Sequence, residues 1–208
     1  MTLAQHMTEE GTVRQRRLVL ASASPRRQQL LRESGYEFAV FPANIDEDSY
    51  PNLLPLELAR HLSFEKAKAV AGRFPHDVVL AADTVVAFGD RALSKPEDAE
   101  DARRMLSLLS GTTHIVITGV TLMQKESEVQ QTRAVMSAVR MRVLSPAEID
   151  GYIAGKQWEG KAGAYGIQDD DPFVTKMSGS HSNIVGLPME MVEKMLAEMN
   201  ILPVARGL

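Results

Sequence analysis

The chain has 208 residues, 44% of them hydrophobic and 24% charged, with a formal charge of -4 at neutral pH. This is apolar enough to bury a sizeable core and excludes a disordered chain, and the length suits one compact domain. The absence of cysteine excludes a disulfide framework, thiolate metal sites and a cysteine nucleophile, and the net negative charge excludes whole-surface attraction to nucleic acid, so an anionic ligand must be held by a local cationic cluster.

Residues 1–16 read as a polar, disordered leader that runs into a solvated charge run, Arg14, Arg16 and Arg17, and residues 17–208 as one domain. No stretch has the length of a signal-peptide apolar region or a membrane span, which predicts a cytoplasmic protein. Leu18 to Ala21 reads as a buried strand that stops at Ser22-Ala23-Ser24. A helix is predicted from there, with Ser24 at the N-cap, Pro25 at the first helical position, Leu30 and Leu31 facing inward and Gly35 ending it. After Phe38 to Asp48, a stripe of Leu58, Leu62, Ala69 and Val70 predicts a second helix over Leu56 to Ala71, closed by Gly72.

Val78 to Phe88 (VVLAADTVVAF) is a β-branched run of the kind covered on both faces of a sheet, with an aspartate at its centre. The acidic turn Ser94 to Asp98 opens a helix that passes through Met105, Leu106 and Leu109 to Gly111. Two strands follow, Ile115 to Met123 and Thr132 to Val143, suited to antiparallel pairing. Ser145-Pro146-Ala147-Glu148 has capping-box spacing and predicts a helix over Pro146 to Ala154. Gly155 to Gly186 is too rich in glycine for one helix and suits loops and short strands along a cleft. Pro188 to Asn200 closes the chain as an amphipathic helix with Met189, Val192, Met195, Leu196 and Met199 in the core. Strands and helices alternate through the first half, so the fold class is α/β, a sheet with helices packed on it.

Ser22, Ser24, Arg26 and Arg27 lie where a strand becomes a helix, and exposed N–H groups, hydroxyls and guanidinium forks all favour phosphate there. Capping and solvation account for the same four residues equally well. Asp83 is harder to explain structurally, because an ionised carboxylate inside an apolar strand costs several kcal/mol unless a partner, metal or wet cleft receives it. A structural aspartate tied to amides at a bulge is the alternative. Glu47, with Asp46 and Asp48, forms an acidic loop, and Lys66 and Lys95 read singly as surface lysines, although Lys95 precedes a helix start suited to an anion. Trp158 and Tyr165 read as packing residues before they read as base-stacking ones. No P-loop, dinucleotide fingerprint, zinc spacing or serine-nucleophile elbow occurs in the sequence.

Taken together, L-A-S-A-S-P-R-R (Leu20 to Arg27), E-K-A (Glu65 to Ala67), A-A-D-T-V-V (Ala81 to Val86), S-K-P (Ser94 to Pro96) and K-A-G-A-Y-G-I-Q (Lys161 to Gln168) closely resemble the Maf family of nucleotide pyrophosphatases. L-S-G-x-x-H-x-V-x-T-G-V (Leu109 to Val120) and S-N-I-V-G-L-P (Ser182 to Pro188) extend the resemblance over Leu18 to Leu202. The resemblance implies an elongated, two-lobed mixed sheet with flanking helices and a central cleft, related to the inosine triphosphate pyrophosphatases. It also implies a homodimer, a magnesium or manganese ion, and cleavage of nucleoside triphosphates between the α and β phosphates.

The K-A-G-A-Y-G-I-Q form is similar to the branch acting on dTTP and UTP. By the same resemblance Asp83 corresponds to the proton acceptor or a metal ligand, with Glu47 beside it at the metal. Arg26, Thr84 and Gln168 correspond to substrate choice, and Ser22, Arg27, Lys66 and Lys95 to phosphate binding. The chain departs from the pattern at Asp169-Asp170-Asp171, at His181, where tyrosine is frequent, and in its longer leader. A non-catalytic nucleotide sensor linked to septum formation is a second reading, and a nucleotidyl or sugar-phosphate transferase a third that lacks an identifiable acceptor pocket.

Overall fold

The computed structural model describes residues 16–47, 49–50, 52–167 and 173–204. In chain order these form β1 (Leu18–Leu20), α1 (Pro25–Glu33), β2 (Phe38–Val40), α2 (Pro55–Ala71), β3 (Val78–Phe88), β4 (Arg91–Leu93), α3 (Ala99–Leu109), β5 (Thr113–Gln124), β6 (Val129–Met141) and α4 (Pro146–Ala154). A single 3-10 turn (Ala162–Ala164), β7 (Val174–Ser178), α5 (His181–Val185) and α6 (Met189–Glu198) complete the series. The strands make one seven-stranded mixed sheet in the order β2-β1-β3-β5-β6-β7, with β4 on the edge of β3. β1 runs parallel to β2 and β3, and β5, β6 and β7 alternate antiparallel beyond β3; of these pairings, that of β5 with β6 is the one the sequence suggested.

The position of the cleft follows from strand lengths. β1 pairs with β3 only over Val78 to Leu80, and β4 pairs with it only over Val86 to Phe88. Residues 81–85 of β3 therefore have no strand beside them on that edge, at the carboxyl end of β1, where open α/β sheets leave a crevice for ligands. The period-two alternation of β3 sends Val79, Ala81, Val85 and Ala87 toward α2. On the opposite face, Val78, Leu80 and Ala82 pack under α6 with Leu18 and Leu20, whereas Val86 joins a separate cluster built on α3 and α4. The two clusters part at Thr84.

Most predicted elements fall where local chemistry puts them, and the exceptions have physical reasons. Pro25 does start α1, and Gly35 ends it with a left-handed φ of 81° that glycine adopts without strain. Ser24 holds the N-cap position but its side chain makes no capping bond; its N–H donates instead to Ser22 Oγ at 3.2 Å. α3 begins only at Ala99, because the Asp98 carboxylate accepts the Asp101 N–H at 2.8 Å and so sets the cap there. Lys95 consequently stands in a loop and not at the helix start. β6 begins earlier than predicted, at Val129, in register with Gln124, and Val143 lies beyond its end, 77% exposed.

The capping box forms as read, with Ser145 N–H donating to Glu148 Oε2 at 2.7 Å and Glu148 N–H to Ser145 Oγ at 3.3 Å. Arg17 is not merely solvated. Its guanidinium pairs with the buried Asp77 at 2.8 Å and ties the start of β1 to the start of β3. Arg14, Asp48, Gln168 and Asp169 to Asp171 lie outside the described residues.

Candidate active site

α2 crosses the sheet unusually closely, and this closeness builds the site. Gly119 on β5 lies directly opposite Asp83 in register. A Cβ added at Gly119 would stand 2.1 Å from the Ala59 carbonyl oxygen of α2, so only glycine admits the helix at this depth. Two turns along the same helix, Lys66 reaches the sheet. Its Nζ lies 2.6 Å from Asp83 Oδ1 and 2.9 Å from Glu47 Oε1, so one ammonium bridges two carboxylates. Lys66 and Asp83 are 7% and 6% exposed. Lys66 is thus no surface lysine, and Glu47 is no freely solvated turn residue. Burial pushes the Glu47 carboxyl upward, but the attraction and hydrogen bond of Lys66, helped by Lys95 and Arg27, outweigh it and leave the group below its ordinary range.

The turn after β1 supplies the opposite side. Arg27 donates from Nη1 to Ser22 Oγ (3.1 Å), from Nη2 to Thr84 Oγ1 (3.1 Å) and from Nε to the Gly186 carbonyl (2.8 Å). The Thr118 hydroxyl donates to the Asn183 carbonyl at 3.0 Å, so its 3.0 Å contact with Thr84 takes the Thr84 proton. A directed chain therefore runs from Arg27 through Thr84 and Thr118 to α5. Burial lowers the Arg27 pKa and Arg26 adds to that effect, while Asp83 and Glu47 oppose it. Arg27 braces three segments around the cleft, a role its position in sequence did not reveal.

Arg26 reaches across the mouth to the Gly160 carbonyl at 3.4 Å. Lys95 is more distant, 4.0 Å from Glu47 Oε2, with 59% of its side chain exposed.

These residues line one cavity of about 620 Å³, together with Glu159, Lys161, Tyr165, Gly166 and Ile167. Five cationic side chains (Arg26, Arg27, Lys66, Lys95 and Lys161) face three carboxylates (Glu47, Asp83 and Glu159), so the wall carries a positive excess suited to an anion. Ser24 also lines it. Of the residues singled out in the sequence, Ser22, Arg26, Arg27, Glu47, Lys66, Asp83, Thr84 and Lys95 thus converge. The sequence reading missed Lys161, Thr118, Asn183 and Glu159, although Lys161, Thr118 and Asn183 stand inside motifs it had picked out.

Neither aromatic stacks freely in the opening. Trp158 donates to the Ile153 carbonyl at 3.2 Å, and Tyr165, 6% exposed, packs in the α3–α4 cluster.

The donor set suits a hard divalent cation only in part. The point on which Glu47 Oε1 and Asp83 Oδ1 converge is the Lys66 ammonium, which leaves Asp83 Oδ2, without a hydrogen-bond partner among the described residues, as the oxygen open to a cation. Carboxylates of this kind, completed by phosphate oxygens, are what magnesium or manganese takes. Among the described residues no group of three or more acidic or histidine side chains forms a metal cage. An ion held here therefore depends on its ligand for the remaining contacts.

Fold and site together define an α/β protein with a basic cleft, paired carboxylates at its floor and a positive excess on its wall suited to an anion. The sequence matches the family described as Maf-like protein over residues 17–199, and the chain belongs to that family. A protein of Caulobacter vibrioides named dTTP/UTP pyrophosphatase is 46% identical over 89% of this chain and 97% of its own. One of the same name from Syntrophomonas wolfei is 44% identical over 86% of this chain and 95% of its own. Among solved structures, a HAM1 protein from Coxiella burnetii aligns with 88% of this chain and 100% of its own, at 18% identity and a TM-score of 0.47. Among the described residues no helix is long and apolar enough to cross a membrane.

Proposed function

We propose that the protein is a nucleoside triphosphate pyrophosphatase that hydrolyses dTTP and UTP to the monophosphate and pyrophosphate. The observation that carries this reading is the Asp83–Lys66–Glu47 cluster at the open edge of β3, facing arginines and lysines across one cavity. The names of the relatives from Caulobacter and Syntrophomonas support the substrate class.

In this reading the triphosphate lies along the cationic wall. Arg26, Lys95 and the remaining donors of Arg27 neutralise charge that grows on the pyrophosphate leaving group, a contribution larger in a dry cleft than in water. Lys66 holds Asp83 through Oδ1 from the α2 side, which leaves Oδ2 for one of two roles, taking the proton of the water that attacks the α phosphorus or ligating the ion. Glu47 and Asp83 are the residues that would hold a magnesium or manganese ion, which supplies further neutralisation of phosphate oxygens when bound. Gln168 is assigned to base choice because its carboxamide offers a donor and an acceptor to a uracil or thymine edge. Cytoplasmic location and homodimer assembly belong to the same reading, the latter checked by the mass in solution.

The test is pyrophosphate release by wild type and Asp83→Asn. The variant should lose about 10²-fold or more in kcat, the usual contribution of a positioned general base. A residual rate within a few-fold of wild type removes Asp83 from the chemistry.

A further inference from the structure

The carboxylates at the floor of the cleft are already neutralised by the chain's own cations. Asp83 Oδ1 and Glu47 Oε1 both lie against the Lys66 ammonium, at 2.6 and 2.9 Å, and Glu47 Oε2 faces Lys95 at 4.0 Å. The Arg27 guanidinium is close enough to act on both acids as well. Two negative charges therefore meet three positive ones. This is the wrong balance for a standing cation site, because the hold on a hard divalent ion depends on the negative charge of its oxygen ligands.

Of the three cations, Lys66 is central to this balance, since it alone bridges the two acids. It stands on the buried stripe of α2, one turn from both Leu62 and Val70, and its side chain is 9% exposed, against 59% for that of Lys95. Separating a buried ion pair leaves an uncompensated charge in the interior, so the ammonium stays with Asp83 and does not swing aside to admit a second cation. An incoming ion can therefore approach only the outer oxygens, Asp83 Oδ2 and Glu47 Oε2, while the inner oxygen of each carboxylate holds the ammonium. Like charges at this range repel far more strongly in a shielded cleft than in open water. A polyphosphate reverses the balance, because it brings several negative charges and its own oxygens to the same place.

We propose that Lys66 makes divalent-ion binding conditional on a polyphosphate: without an anionic ligand the cleft holds magnesium and manganese only weakly, and the ion arrives with the ligand or after it. This rests on the proposed reading of Glu47 and Asp83 as the residues that hold the ion. The consequence is an order of binding set by charge, with the cleft an anion site first and a cation site second.

The experiment titrates Mn²⁺ into the nucleotide-free, full-length protein at neutral pH and follows water-proton relaxation, which rises when the ion is held on a macromolecule. Wild type is compared with Asp83→Asn, Lys66→Met, Lys66→Gln and Lys66→Met/Asp83→Asn; Lys66→Gln keeps a donor for Asp83 and guards against a failure of Lys66→Met to fold. Both Lys66 variants should bind Mn²⁺ at least about tenfold more tightly than wild type, as for removal of one positive charge beside a divalent ion. The double variant, which has the same charge at the floor as wild type, should fall back to the wild-type affinity. Mn²⁺ should raise the melting temperature of Lys66→Met and leave that of wild type in place. Wild type should take up the ion once the non-hydrolysable α,β-methylene analogue of dTTP is added. Mn²⁺ bound by wild type alone as tightly as by Lys66→Met overturns the proposal, and loss of that binding in Asp83→Asn then leaves the carboxylates as ion ligands. No gain in either Lys66 variant, with each shown to be folded by its melting transition, also overturns it, as does wild type that takes up no ion with the analogue present. The expected binding pattern in a wild type that releases no pyrophosphate overturns the catalytic reading and supports this one.

Discussion

Replacing Gly119 by alanine tests how the fold builds the site. The new Cβ would sit 2.1 Å from Ala59 O, 2.4 Å from Ala59 C and 2.8 Å from Arg60 N. The shortest of these is about 1 Å inside the closest approach such a pair tolerates. Overpacking costs about 1–3 kcal/mol where side chains can shift aside. Here the obstacle is helix backbone, so the cost should lie near the top of that range, about 3 kcal/mol, lowering Tm by roughly 6–12 °C for a chain of this size.

The relief available is movement of α2 away from β5, and Lys66, two turns on, moves with it. Its 2.6 Å contact with Asp83 then lengthens, and a misplacement of about 1 Å at a reacting centre costs roughly 10²-fold in rate. Gly72→Ala is the control: its added Cβ meets nothing within 4 Å, and its backbone is right-handed with φ -61°. That variant should be neutral or up to about 1 kcal/mol more stable. Thermal melts and kcat for both variants decide the matter. Gly119→Ala with wild-type Tm, or with lowered Tm but full activity in the folded fraction, would refute the reasoning.

Lys66→Met keeps length and removes charge, leaving the buried Asp83 unpaired; urea unfolding should show a loss of about 3 kcal/mol, and Asp83→Asn added to it should restore most of that stability without activity. Acid should also destabilise the fold through His114. Its folded pKa of about 4 lies below the unfolded value of 6.5, so the unfolded chain binds the extra proton between those values. The stability contributed is full above pH 6.5 and lost as pH falls to 4, by about 3 kcal/mol from this residue alone. Denaturant melts from pH 7 to 4 should show this limb in wild type and a shallower one in His114→Leu.

Features whose causes are local were legible in the sequence. Ser145 and Glu148 cap α4 through bonds spanning three residues, and the β-branched run from Val78 to Phe88 forms β3 as read. Asp83 was legible as a site because the cost of burying a charge demands an explanation, whatever the fold. Its partner was not, since the docking depth of α2 is decided by Gly119, far along the chain. One signal was available: Lys66 lies four residues after Leu62 and four before Val70, on the inward stripe of the helix.

Arg27 likewise sits in a turn rich in phosphate-binding chemistry, but three of its donors are committed to Ser22, Thr84 and Gly186, and only the tertiary structure brings those together. The His114–Tyr165 bond spans 51 residues and joins two motifs that the sequence presents separately.

The most direct test of the central claim is product analysis of dTTP turnover in ¹⁸O-labelled water with magnesium or manganese present. The account predicts the monophosphate and pyrophosphate in equal amounts, with the label on the monophosphate, since water attacks the α phosphorus. Release of orthophosphate, label on pyrophosphate, or tight binding of dTTP with no turnover would contradict it.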